Sequence, residues 1–175
     1  MRWLANVAVI SALSLLSACD PVENTPGSPS GTLCFDYFQR CVYPQALDIA
    51  APIACSSSGC HQEPGNSGGA LRIAPRLSPV DLSTTTPDQV RAMAIYSTFK
   101  SVTGSANLES PRQSNLLRKP LVEVVHGGGR IFTSDQDSAA RQLLYWITNR
   151  APAGGDEFSA QCASLFAPGN LCQPF

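Results

Sequence analysis

Seven cysteines stand in this chain of 175 residues, at positions 19, 34, 41, 55, 60, 162 and 172, and how they are used decides what it can fold into. The first eighteen residues show that they meet an oxidising compartment. Arg2 is a positive start, Leu4 to Leu16 is an apolar run broken by Asn6, Ser11 and Ser14, and Ser17-Ala18 gives small residues at a cleavage point. The run is too short to span a bilayer comfortably and reads as a signal peptide over residues 1–18. Free thiols do not persist outside the cytoplasm, so an odd count needs an explanation.

Leu16-Ser17-Ala18-Cys19 resembles the lipobox of bacterial lipoproteins. That resemblance implies lipid on Cys19 and a membrane as partner. It places the protein in the cell envelope, on the periplasmic face of the inner or outer membrane or at the cell surface. More than one acyl chain is what a stable anchor needs. Residues 19–33 are expected to be a lipidated tether. Pro21 to Thr32 is rich in Pro, Gly, Ser and Thr with Val22 as its single large apolar residue, too little to offset ordering. Residues 34–175 then fit one compact domain. Losing Arg2 with the signal leaves 11 basic against 13 acidic residues, a net charge of −2, which excludes nucleic acid as a natural partner.

With Cys19 assigned to lipid, six cysteines remain. Cys55-Ser56-Ser57-Ser58-Gly59-Cys60-His61 is the informative group, because a cysteine followed at once by histidine is the constrained part of a c-type haem attachment site. Two thiols bond the vinyl groups on one porphyrin edge, and the imidazole next to the second is carried under the ring to meet iron. The spacer is four residues where two are usual, and Ser and Gly suit a looser loop. Cys55, Cys60 and His61 are thus the candidate residues for one covalent haem c, with His61 on iron. A plain Cys55–Cys60 disulfide is the alternative.

The second histidine, His126, precedes Gly127-Gly128-Gly129, which lets the backbone pass close to a flat ligand. It is the first candidate for the other axial position, and Met93 is the second, since a thioether also binds haem iron. Met93 lies in a segment of helical period: Thr86 is a plausible N-cap, Pro87 a first-turn residue, and Val90, Met93, Ala94 and Phe99 share a face. A further helix is expected from about Asp135 to Asn149, capped by Ser134, with Leu143, Leu144, Trp146 and Ile147 as its apolar stripe. Phe35 to Val42 reads as a short helix broken near Pro44. Between His61 and Thr86 there is no period, only Pro64, Pro75, Pro79 and paired glycines, which reads as ordered loop over a prosthetic group. Cys34, Cys41, Cys162 and Cys172 are left for disulfides. Local pairing, Cys34–Cys41 and Cys162–Cys172, is simplest, although three connectivities are open.

The order of these pieces resembles the planctomycete-type cytochrome c domain: Cys60-His61, then Gly68-Gly69-Ala70-Leu71, Ser114-Asn115-Leu116-Leu117-Arg118-Lys119-Pro120, His126-Gly127-Gly128-Gly129, and the Leu144-Tyr145-Trp146-Ile147 helix. The likeness covers about residues 35–148. It implies a mainly α, small cytochrome c-like fold with few helices and long ordered loops around a haem, stapled by disulfides. It also implies Cys55 and Cys60 as thioether positions, His61 as proximal ligand and His126 at the distal position. The activity implied is electron transfer between redox partner proteins, with no catalytic residues and no enzyme activity. Two alternatives stay open: a cofactor-free, disulfide-stapled binding or structural lipoprotein, and a haem enzyme with an open distal position. A zinc site from Cys55, Cys60, His61 and His126 is conceivable by ligand type.

Overall fold

The structure is a computed structural model, and it describes residues 31–48, 50, 55–56, 60–64 and 69–175. The signal and Cys19 therefore lie outside the described residues. Among those described, the chain is mainly helical with no strand; two isolated bridges, Gln62 with Ile73 and Ala167 with Leu171, are the extent of its β pairing. No described helix is long and apolar enough to cross a membrane.

Helix α1 (Phe35–Tyr37) passes directly into a π-helical run, Phe38–Leu47. The break expected at Pro44 does not occur. Proline disrupts an α-helix by its missing N–H and its clash with the carbonyl four residues back, whereas a π turn closes over five, as Asp48 N to Tyr43 O does at 2.9 Å. Helix α1 and this run together supply Phe35, Tyr37, Phe38 and Tyr43 to the aromatic core, all at or near zero exposure.

Helix α5 (Ser138–Thr148) lies against it, burying Ala139, Ala140, Leu143, Trp146 and Ile147 at helical spacing. Phe38 and Trp146 have ring centroids 5.3 Å apart, and Trp146 Nε1 donates to Cys34 O at 2.9 Å. The start of α5 falls three residues later than the sequence implies. Asp137, not Ser134, is the N-cap, and its carboxylate reaches back to accept from the Thr133 hydroxyl (2.9 Å) and the Thr133 amide.

Residues 87–103 form two helices rather than one. Thr86 caps α2 (Pro87–Arg91) through a reciprocal box with Gln89; α3 (Ala94–Thr103) starts afresh after Met93, which takes an extended backbone as its N-cap. Val90 and Phe99 are buried as expected, but the break rotates Ala94 to the surface. Phe99 packs edge-on to Phe35 at 5.3 Å. A single 3₁₀ turn (Pro111–Gln113) leads into α4 (Asn115–Arg118).

The disulfides are Cys34–Cys162 and Cys41–Cys172, with Cα separations of 5.6 and 5.5 Å. All four cysteines expected to pair do so, but local pairing is corrected. Seven residues of continuous helix hold Cys34 and Cys41 about 10 Å apart, beyond the roughly 7 Å a disulfide can span. The C-terminal segment instead lies alongside that helix, through the 3₁₀ turn Ala160–Leu165, the Arg40 guanidinium over the Phe166 ring (4.7 Å) and Arg40 Nη2 to Asn170 O (2.9 Å). The last residues of the expected tether also join the body. Leu33 is 2% exposed, and Ala151 N donates to Thr32 O at 3.0 Å.

Candidate functional site

The end of the π-helical run holds the first part of the site. Its last carbonyls lack helical partners, and the motif segment supplies them: Cys55 N donates to Ala46 O and Ser56 N to Leu47 O, both at 3.3 Å, with the buried Ser56 hydroxyl adding a 2.7 Å bond to Leu47 O. Cys55 is thereby fixed to the core. Burial pushes its thiol up to about 12, so it is protonated at neutral pH. Cys55 and Cys60 are both free, while the other four described cysteines are paired.

His61 is fixed by the segment that follows it. Ile73 N donates to His61 O at 2.8 Å, Glu63 N donates to Ile73 O at 3.0 Å, and Ile73 is fully buried. The ring itself bonds through Nδ1 to Leu71 O at 3.3 Å. A carbonyl can only accept, so Nδ1 carries the hydrogen and Nε2 keeps its lone pair. Burial holds His61 below the ordinary imidazole value. His126, Lys119 and Arg72 push the same way by charge, against the opposing bond to Leu71. The imidazole is neutral at neutral pH and able to bind a metal.

The loop expected between His61 and Thr86 is indeed free of helix where it is described, and polar side chains of neighbouring helices order it. Buried Gln39 pairs both ways with the Val80 peptide (3.0 and 2.8 Å). Tyr43 OH donates to Ala74 O at 2.7 Å and accepts from Leu77 N at 3.1 Å, and Asp48 accepts from Arg76 N at 2.7 Å. From α3, Thr98 Oγ1 accepts from Ala74 N (3.1 Å) and Ser101 Oγ from Arg72 N (2.6 Å).

His126 arrives from the other side, on the loop after α4. Ser114 O receives Leu117 N and Arg118 N, and Pro120 O receives both Ile131 N (2.8 Å) and Phe132 N (3.2 Å), closing the neck of that loop. At its tip His126 Nδ1 donates to Gly129 O at 2.7 Å, again leaving Nε2 free. Gly129 has φ of +71°, and the imidazole folds so closely over Gly128 that a Cβ there would come within 3.2 Å of the ring.

The two imidazoles meet across one cavity of about 340 Å³, their centroids 6.3 Å apart and their planes within 11° of parallel. Cys55, Cys60, His61 and His126 all line it, with Leu71, Leu116, Pro120 and Ile131 as apolar wall and Lys119 as a cationic one. The four candidate residues, far apart in sequence, are therefore brought together. Met93, the second candidate ligand, is not: it packs against the hydrophobic core and does not line the cavity. Among the described residues no group of three or more His, Cys, Asp or Glu is placed to hold an ion. Sequence reasoning passed over Lys119 as a charge facing the site, although it stands in the Ser114–Pro120 stretch. It also missed Gly104 and Ser105 at the end of α3, which line the wall without any motif to announce them.

No family model matches this chain, and no curated protein or solved structure matches it either.

Proposed function

We propose that this protein is a mono-haem c-type cytochrome, held to a membrane by lipid on Cys19, that carries electrons between redox partner proteins. The observation that carries this reading is the parallel pair His61 and His126, facing one cavity that two unpaired cysteines also line. The separation here is 6.3 Å, and in both rings Nδ1 is already engaged by a backbone carbonyl. That outer bond fixes the tautomer and the orientation of a ligating histidine.

The residues fit a haem in chemistry as well. Cys55 and Cys60 would hold it by thioethers, His61 and His126 would bind iron from its two faces, and Leu71, Leu116, Pro120 and Ile131 would cover its apolar surface. Lys119 in the wall, and Arg72 near enough to act on His61, are cations of the kind that meet carboxylate side arms. The group supplies one-electron chemistry at iron; the chain sets its potential by ligands, burial and charge. With His61 and His126 both holding it, the group would have a potential below that of a His/Met protein, and no side chain would be needed for bond making.

Absorbance spectra of the full chain, matured in a host that attaches c-type haem, test this. The expected result is a Soret band typical of low-spin iron that survives denaturation. It should be abolished in Cys55→Ala/Cys60→Ala, and converted to a high-spin form in His126→Ala. A colourless protein with Cys55 and Cys60 oxidised to each other would instead establish the cofactor-free lipoprotein.

A further inference from the structure

The two histidines are held in very different ways. His61 is tied to the body of the molecule: its carbonyl and its ring bond to residues 71–73, and that segment is latched to α3 by Thr98 and Ser101. The bonds of His126 stay within its own turn, since Nδ1 donates to Gly129 O and Gly129 N donates back to His126 O at 3.0 Å. They shape the turn without tying it down. The loop is fastened at its neck, where Pro120 O takes Ile131 N and Phe132 N and Phe132 is fully buried. Val122 N and Glu123 N also donate back to Lys119 O and Arg118 O, both at 2.9 Å, but the tip is exposed: Val125 is 94% exposed, and a Cβ on Gly127 or Gly129 would meet nothing within 4 Å. Val122, at the start of the loop, holds a φ of +61°, which a β-branched residue rarely adopts.

We propose that the His126 side of the cavity is a binding site for an uncharged diatomic ligand of the carbon monoxide or nitric oxide class, which takes the place of His126 while His61 stays. The inference rests on the haem reading above. An arm with few contacts opens at low cost, and here the neck and the buried Phe132 need not move when the tip departs. Leu116, Pro120 and Ile131 remain behind as an apolar wall, which suits a small neutral molecule. In the exchange one nitrogen donor leaves iron and one carbon or nitrogen donor of the incoming molecule binds. The iron keeps its oxidation state and no proton moves. His126 thus acts as an internal competitor that sets the apparent affinity.

Rapid mixing of the ferrous full-length protein with carbon monoxide tests the proposal. Wild type should show a Soret shift whose rate rises with ligand and then levels off at the rate of His126 departure. His126→Ala should lose the plateau and bind at least about tenfold more tightly, because the competent fraction is no longer limited. Gly128→Ala crowds the His126 ring at 3.2–3.3 Å without removing it, and should shift affinity the same way by less. A haem protein unmoved by saturating carbon monoxide, or one whose His126→Ala variant has the wild-type rate law, overturns the site alone. Absence of any Soret band before ligand is added overturns the haem reading, and the site with it.

Discussion

Asp137 shows how single residues here work on segments other than their own. It begins α5, yet its carboxylate binds backwards to Thr133, and that hydroxyl, with the amides of Thr133 and Ser134, holds it below the usual carboxylate range. A depressed carboxylate contributes stability above the ordinary value and loses it as pH falls through the lowered one. Asp137→Asn should therefore melt below wild type at about pH 6, with the gap closing as pH falls below about 4 and through the lowered value, where Asp137 takes up its proton. A gap that does not change with pH would contradict this. At this scale the sequence was most legible where chemistry is scarce. Two histidines and a cysteine-histidine adjacency picked out the residues that meet at the cavity. It was least legible for Gln39, Tyr43 and Asp48. Each is a commonplace residue whose role, bonding the backbone of residues 74–80, exists only once the chain is folded.

Among the elements, the aromatic junction of the π-helical run, α3 and α5 holds the site in place. Phe99 touches Phe35, Phe38 and Trp146 at centroid distances of 5.3, 5.3 and 6.1 Å, and is 2% exposed. Phe99→Ala should cost about 3–5 kcal/mol in denaturant unfolding, since a cavity is left where these rings and that of Tyr96 converge. A loss below about 1 kcal/mol would show that the junction collapses around the gap or is not formed. Helix existence was readable from apolar period, as Leu143, Trp146 and Ile147 illustrate. Boundaries were not. A break at Met93 follows from how α2 and α3 each pack, and the passage through Pro44 needs π geometry that no periodicity signals.

For the molecule as a whole, the disulfides join the first helix to the C-terminal segment across 128 and 131 residues of sequence. Cross-links closing such long loops remove much freedom from the unfolded chain. Replacing Cys34 and Cys162 together by Ala should lower unfolding free energy by about 3 kcal/mol, because with Cys41–Cys172 intact the lost bridge closes a loop of only about 17 residues in the unfolded chain. An unchanged denaturation midpoint would contradict it. The sequence showed that four cysteines would pair but not how, because the partners are set by a tail folding back along a helix. The cavity is assembled over a long separation too, since its walls come from the motif after the first helix and from loops nearly seventy residues on. We propose that Cys55 and Cys60 hold a haem between His61 and His126, and a mass-spectrometric peptide map of the mature protein checks the covalent attachment. One haem is expected on the peptide carrying Cys55, Cys60 and His61, bonded through both sulfurs, beside linked peptides for Cys34–Cys162 and Cys41–Cys172. A Cys55–Cys60 disulfide, or two free thiols there in protein matured by a haem-attaching host, would contradict it.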